Sequence, residues 1–283
     1  MVKGYKNKIA LVTGSSRGLG KYLSIELAKK GFEVILVART VGALEEQYDE
    51  IIKLGSKSTI VPLDLCEDGS VDKLGLEINK KWGRLDLLVS NAAITNELTP
   101  LSHLKPDIWE KVINFNLTLN YRLIRSFEQL LKSSKDAKCL FILDKETKED
   151  KPYHIPYSVS KAGLEKMISI WAKEVSKDNI DIHYCFAPRM NTFLREWGGP
   201  YKGVPNFNDL DLNDLRPALI LAMDQTKNEI AQIANQDEEP SFQNTIIALE
   251  KNGQLLDQIF SYYGVLSSNL STKQFRDIQK EMA

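Results

Sequence analysis

Between Lys8 and about Phe186, short aliphatic and β-branched runs alternate with segments whose apolar residues recur at helical spacing. The runs are IALVT (9–13), EVILVA (Glu33–Ala38), STIVPL (Ser58–Leu63), LDLLVS (Leu85–Ser90), KCLFIL (Lys138–Leu143) and IDIHYCF (Ile180–Phe186). Between them the periodicity predicts helices over roughly Leu19–Lys30, Val41–Leu54, Ser70–Lys81, Asp107–Leu131 and Pro156–Lys177. Strand and helix alternating in this way indicate a parallel sheet with helices on both faces. The expected class is therefore α/β, a Rossmann-like doubly wound parallel sheet of about six strands followed by an all-helical C-terminal segment.

The texture changes after Arg195. The stretch Trp197–Asp214 is rich in Gly, Pro, Asn and Asp and reads as a connector. Beyond it Leu212, Leu215, Leu219 and Ala222 fall at helical spacing, as do Ile246, Leu249, Leu256, Ile259 and Tyr263. The Asn252-Gly253 pair marks a turn, and Ser241 after Pro240 is placed to cap a helix.

Composition narrows the function classes. The 283 residues carry 37 Lys+Arg against 38 Asp+Glu, a formal charge of −1 that argues against a nucleic-acid or anionic-membrane partner. Residues 1–197 hold 30 basic and 26 acidic side chains, and residues 198–283 hold the remaining 7 and 12, so the change of texture is also a change of charge. Cys66, Cys139 and Cys185 have no metal-like spacing and sit beside apolar runs, which predicts buried reduced thiols. His103, His154 and His183 are scattered, so no metal site is expected. No signal-peptide core or membrane span is legible, and a cytoplasmic protein is the expectation.

Two stretches carry chemistry. TGSSRGLG (Thr13–Gly20) follows the first strand and opens a helix, so Gly14, Gly18 and Gly20 allow a tight turn and close approach to a pyrophosphate. YSVSK puts Tyr157 and Lys161 at i and i+4 on one helix face, where an ammonium favours phenolate over phenol. Tyr157 is thus a candidate proton donor to a carbonyl or imine. Arg17 lies in the glycine turn and Arg39 directly follows the second strand, where no carboxylate stands. Two guanidiniums suit a 2′-phosphate, which points to NADPH over NAD; a solvated Arg39 is the competing reading.

TGSSRGLG, SNAA (Ser90–Ala93) and YSVSK together resemble the short-chain dehydrogenase/reductase family. The resemblance implies a dinucleotide seated on Gly14, Ser15, Ser16, Arg17, Gly18, Leu19 and Gly20. It implies adenine contacts from Asp64 and Leu65 and adenosine-side contacts from Asn91, Ala92 and Ala93. Tyr157, Lys161 and Pro188 would also touch the cofactor, and Asn116 would support the lysine through a water. The family's substrate-polarising Ser falls at Asp144, a departure shared with its pteridine reductase branch. A carboxylate there would repel an oxyanion unless burial keeps it protonated, but it suits an amino-bearing pterin or dihydrofolate. The aromatic that stacks the pterin in that branch is missing from ITNELTPL. Asp144 is read as catalytic or substrate-orienting, against a solvated loop acid or a member with impaired chemistry.

From about Met190 the chain is similar to something else. MNTFLREWGGPYKGVPNFNDLDLNDLRPAL and EEPSFQNTIIALEKNGQLLDQIFSYYGVLSSN resemble the amino-terminal region of the zinc oligopeptidases, without their HExxH site. Two domains are expected, 1–189 and 190–283, the first lacking the family's usual last strand. Thr192 stands one place early for the threonine that would clasp a nicotinamide. Its sixth strand would be an exposed edge unless covered. The leading expectation is an NADPH-dependent reductase acting on a small molecule, with homo-oligomers through the long helices. The alternative is a catalytically impaired fusion of a cofactor-binding domain with a helical fragment.

Overall fold

The computed structural model describes residues 5, 7–96, 98–145, 152–187, 191–194, 197, 207, 210–270 and 272–282. The chain divides into two compact units, Met1–Arg189 and Met190–Ala283.

The first unit holds strands β1 (Ile9–Thr13), β2 (Glu33–Ala38), β3 (Ser58–Pro62), β4 (Leu87–Ser90), β5 (Ala137–Asp144) and β6 (Ile180–Ala187). All are parallel, in the order β3-β2-β1-β4-β5-β6. The connecting helices are α1 (Gly18–Lys29), α2 (Val41–Lys53), α3 (Ser70–Trp82), α4 (Pro106–Ile113), α5 (Leu119–Lys132) and α6 (Ile155–Glu174). This is the Rossmann-like doubly wound sheet. Its strands read as continuous apolar runs because both faces of the inner strands are buried. On one face Ala10, Val12, Val34 and Leu36 pack with Ala28, Leu44 and Ile51 of α1 and α2. On the other, Leu11, Ile35, Leu88 and Phe141 pack with residues of α3, α5 and α6, including Leu74, Phe127, Leu164 and Trp171.

Three details differ from the sequence-based expectation. The single helix predicted over Asp107–Leu131 is α4 and α5 joined by a π-turn, Asn114–Thr118. One extra residue in that turn leaves the amphipathic period nearly unchanged, so the pattern conceals it. Of the three thiols expected to be buried, only Cys139 is; Cys66 is half-buried and Cys185 exposed. Cys185 lies on the edge strand β6, where Ile180, Ile182 and Phe186 point into the core and Asp181, His183 and Cys185 are exposed. The connector predicted over Trp197–Asp214 falls mostly outside the described residues, and its last three form a short helical turn.

The second unit contains α7 (Leu215–Ala234), a π-turn (Phe242–Ile247), α8 (Ala248–Glu250), α9 (Gln254–Asn269) and α10 (Lys273–Met282). Phe193, Leu219, Ile259, Tyr262 and Phe275 form its buried centre. Ser241 caps its helix as expected, accepting the Asn244 N–H at 3.1 Å while Asn244 Oδ1 accepts the Ser241 N–H at 2.7 Å. Thr192 belongs to this unit, with its N–H and hydroxyl both donating to Asp214 Oδ2 at 2.9 Å. Among the described residues no helix is long and apolar enough to cross a membrane.

Candidate active site

The sheet order reverses direction between β1 and β4, so the crevice outside their C-terminal ends is open to a ligand. The turns after both strands meet there. Thr13 ties them together: its hydroxyl accepts the N–H groups of Asn91 and Ala92 at 3.0 and 3.1 Å and faces the Val89 carbonyl at 3.4 Å. Asn91 reaches back with its amide to the Thr13 and Gly14 carbonyls, at 3.1 and 3.3 Å. Its side chain is engaged in holding the crevice, and Thr13 is a structural residue that the motif reading passed over.

The glycine turn is shaped for a close ligand. Gly14 and Gly18 have φ of +64° and +54°, conformations a β-carbon disfavours. A β-carbon on Gly20 would lie 2.2 Å from the Gly14 carbonyl oxygen and 2.6 Å from Asn91 Nδ2. Ser15 is fully buried, and its hydroxyl has no protein partner. An unsatisfied buried hydroxyl beside a helix N-terminus is a place for a ligand oxygen. The turn thus fits a dinucleotide pyrophosphate. Ser16 and Leu19 are half-buried beside it, and Arg17 and Gly18 are exposed.

Around the crevice the expected contacts divide. Arg39 is exposed, and Asp64 from the end of β3 approaches it at 4.0 Å, a carboxylate that the sequence of β2 alone does not reveal. Asp64 also accepts the Cys66 N–H at 2.9 Å. The Leu65 side chain is buried in the core, so only its backbone remains for an adenine. Ala92 is half-buried and Ala93 exposed. Pro188 lies outside the described residues.

The catalytic candidates converge at the C-terminal end of β5. The Tyr157 phenol donates to Asp144 Oδ2 at 3.3 Å. Lys161 is 4% exposed, its ammonium 5.8 Å from the Tyr157 ring centroid and donating to the Ile142 carbonyl at 3.0 Å. Burial pulls its pKa down to about 8, with the Asp144 carboxylate opposing the fall. Asn116, in the π-turn, is fully buried. Its carboxamide accepts the Ile94 N–H at 2.9 Å and donates to the Ile94 carbonyl at 2.8 Å and to Ser160 Oγ at 3.1 Å. The Lys161 ammonium bonds directly to the Ile142 carbonyl, and the Asn116 side chain clamps the turn after β4 onto α6. A cavity of about 370 Å³ adjoins Ile94, lined also by Thr95, Asn96, His103, Ile108 and Lys111. Among the described residues no cluster is arranged for a metal.

The family profile described as short chain dehydrogenase matches residues 8–197. A 3-oxoacyl-[acyl-carrier-protein] reductase of Synechocystis sp. is 30% identical over 177 residues, covering 62% of this chain and 71% of that protein. The reductase of that name from Escherichia coli K12 is 27% identical, covering 63% and 72%. A crystal structure of a metagenomic short-chain oxidoreductase in complex with NADP superposes with a TM-score of 0.62 at 28% identity, covering 64% of this chain and 82% of that one.

Two outcomes follow from this geometry. Gly20→Ala should lower stability by about 2 kcal/mol through overpacking, whereas Gly42→Ala, whose β-carbon meets nothing within 4 Å, should be neutral or stabilising by about 0.5 kcal/mol. Thermal unfolding of both variants checks the contrast, and equal midpoints would contradict it. The second concerns Lys161, whose folded pKa lies below its ordinary 10.5. Between pH 8 and 10.5 the unfolded chain binds the extra proton, so wild-type stability gains from this site as pH rises, and below pH 8 the buried charge is a net penalty. Lys161→Met should therefore unfold at a higher temperature than wild type at pH 7, with the gap narrowing by pH 10.

Proposed function

The chain belongs to the short-chain dehydrogenase family, and from that premise we propose that its first unit is an NADPH-dependent reductase of small carbonyl- or imine-bearing molecules. The observation that carries this reading is the buried Lys161 ammonium set over the Tyr157 ring at the end of β5. The glycine turn, with Ser15, Ser16, Arg17 and Leu19, would hold the pyrophosphate side of the cofactor. Arg17 and Arg39 would face a 2′-phosphate, Asp64 and Leu65 the adenine, and Ala92 and Ala93 the adenosine. Bound there, the nicotinamide supplies a hydride. The protein supplies the proton: Tyr157 donates it to the carbonyl oxygen or imine nitrogen as the adjoining carbon takes the hydride, and the Lys161 charge stabilises the phenolate that remains. Asn116 keeps the turn at Ile94 and the catalytic helix in register while this happens.

Asp144 selects the substrate. Its carboxylate already accepts from the Tyr157 phenol, so the site favours a substrate nitrogen that donates a hydrogen bond over a bare carbonyl oxygen. A reduced pterin or a related amino-bearing heterocycle meets that demand. The names of the relatives support a second reading, a 3-oxoacyl thioester. The second unit, without an HExxH sequence, is read as a non-catalytic helical segment of oligopeptidase-like sequence. Exposed Tyr121 on α5 and Ile170 on α6 suit a homo-oligomer through those helices.

NADPH oxidation, followed with dihydrobiopterin and with acetoacetyl-CoA, tests the reading. Turnover of the pterin is expected to fall at least about 100-fold in Tyr157→Phe. Asp144→Ser should lower pterin turnover and raise that of the thioester. NADPH should bind at least about tenfold more tightly than NADH, a preference lost when Arg17 and Arg39 are both replaced by alanine. Turnover surviving Tyr157→Phe, or equal affinity for the two nucleotides, would overturn the assignment.

A further inference from the structure

A line of buried polar side chains runs from the end of β4 to the catalytic helix. Ser90 Oγ donates to Asn120 Oδ1 at 2.5 Å, and Asn120 Nδ2 donates to the Asn116 carbonyl at 2.7 Å. From Asn116 the line continues through its carboxamide to Ser160, whose hydroxyl donates to the Tyr157 carbonyl at 2.7 Å. Ser90, Asn120, Asn116 and Ser160 are exposed by 5%, 2%, 0% and 0%. Polar groups buried this deeply are costly unless paired, so a continuous set of them marks a constraint the fold maintains.

The constraint acts at the π-turn. Where the helix widens, backbone hydrogen bonds shift from the fourth to the fifth residue. Asn120 closes on the carbonyl four residues back and so supplies with its side chain the spacing that the backbone relinquishes. Ser90 holds Asn120 in place by donating to its Oδ1, which leaves the Asn120 amide turned toward the Asn116 carbonyl. With the turn in this register, both faces of the Asn116 carboxamide are spent, on Ile94 and on Ser160.

We propose that Asn120 and Ser90 are positioning residues for the reductase site, fixing the register of the π-turn so that Asn116 can join the Ile94 turn to the helix bearing Tyr157. The proposal rests on the reductase reading for its effect on rate, but the hydrogen-bond line stands without it. It also gives the serine at position 90 a role. Ser90 is there as the partner of Asn120.

The test uses the full chain with Asn120→Leu, which keeps the volume and removes the bonding, together with Ser90→Ala, the double variant and Ser90→Thr. Hydrogen exchange of the 91–96 segment, whose Ile94 N–H is held by Asn116, is read first because it needs no substrate. Exchange there should quicken at least about tenfold in Asn120→Leu and in Ser90→Ala, while β2 amides stay protected, and Ser90→Thr should restore protection. Turnover of dihydrobiopterin should fall about tenfold or more with the NADPH KM within twofold of wild type, and the double variant should be no worse than Asn120→Leu alone. Wild-type exchange in Asn120→Leu would overturn the proposal. So would additive losses in the double variant. A wild-type protein that turns over no substrate would defeat the reductase reading alone, leaving the exchange result to decide this one.

Discussion

The arrangement depends on an ammonium held out of water. The Lys161 ammonium donates to the Ile142 carbonyl and is otherwise enclosed by protein, so its charged form is less favoured than in solvent. What keeps it there is packing. Leu164, Ile168 and Trp171 anchor α6 on the sheet, and Trp171 meets Phe141 of β5 edge to face at 6.3 Å while its indole N–H donates to Glu128 of α5 at 3.0 Å. The hydrophobic attachment of α6 thus sustains an unfavourable electrostatic feature one turn away. A buried cation beside a phenol has little use in stability and an evident one in proton transfer.

The other half of the site follows from topology. Placing β1 between β2 and β4 sends successive connections to opposite faces and leaves a crevice where they part. Thr13, Asn91 and the glycines close its floor with hydrogen bonds among themselves, while the buried Ser15 hydroxyl there has no partner among the described residues. Cofactor turn and catalytic helix are then joined through β4, by way of Ser90, Asn120 and Asn116.

Much of the fold was legible because parallel strands buried on both faces announce themselves as short apolar runs, and because Gly20 and Gly14 need glycine for reasons of contact. The closeness of Tyr157 and Lys161 was legible because i and i+4 on a helix share a face. What escaped was whatever depends on a neighbour distant in sequence. The π-turn is hidden by an unchanged amphipathic period. Its one clue is the spacing of Asn116 and Asn120, two amides on a face otherwise apolar. The Asp64 carboxylate beside Arg39 arrives from another strand end. Cys185 looked buried because it sits in an apolar run, but on the edge strand β6 it falls in an exposed stretch, His183–Cys185. Thr192 could be assigned by spacing to a nicotinamide clasp, yet its hydroxyl is already committed to Asp214 in the helical unit.

The most direct measurement is an NMR titration of the protein labelled at lysine side chains, with Lys161→Met used to assign the resonance. The account predicts that the Lys161 ammonium titrates near pH 8, well below the ordinary lysine value, and apart from the other lysine resonances. A Lys161 resonance moving with those others would mean a solvated side chain, and would contradict the central claim.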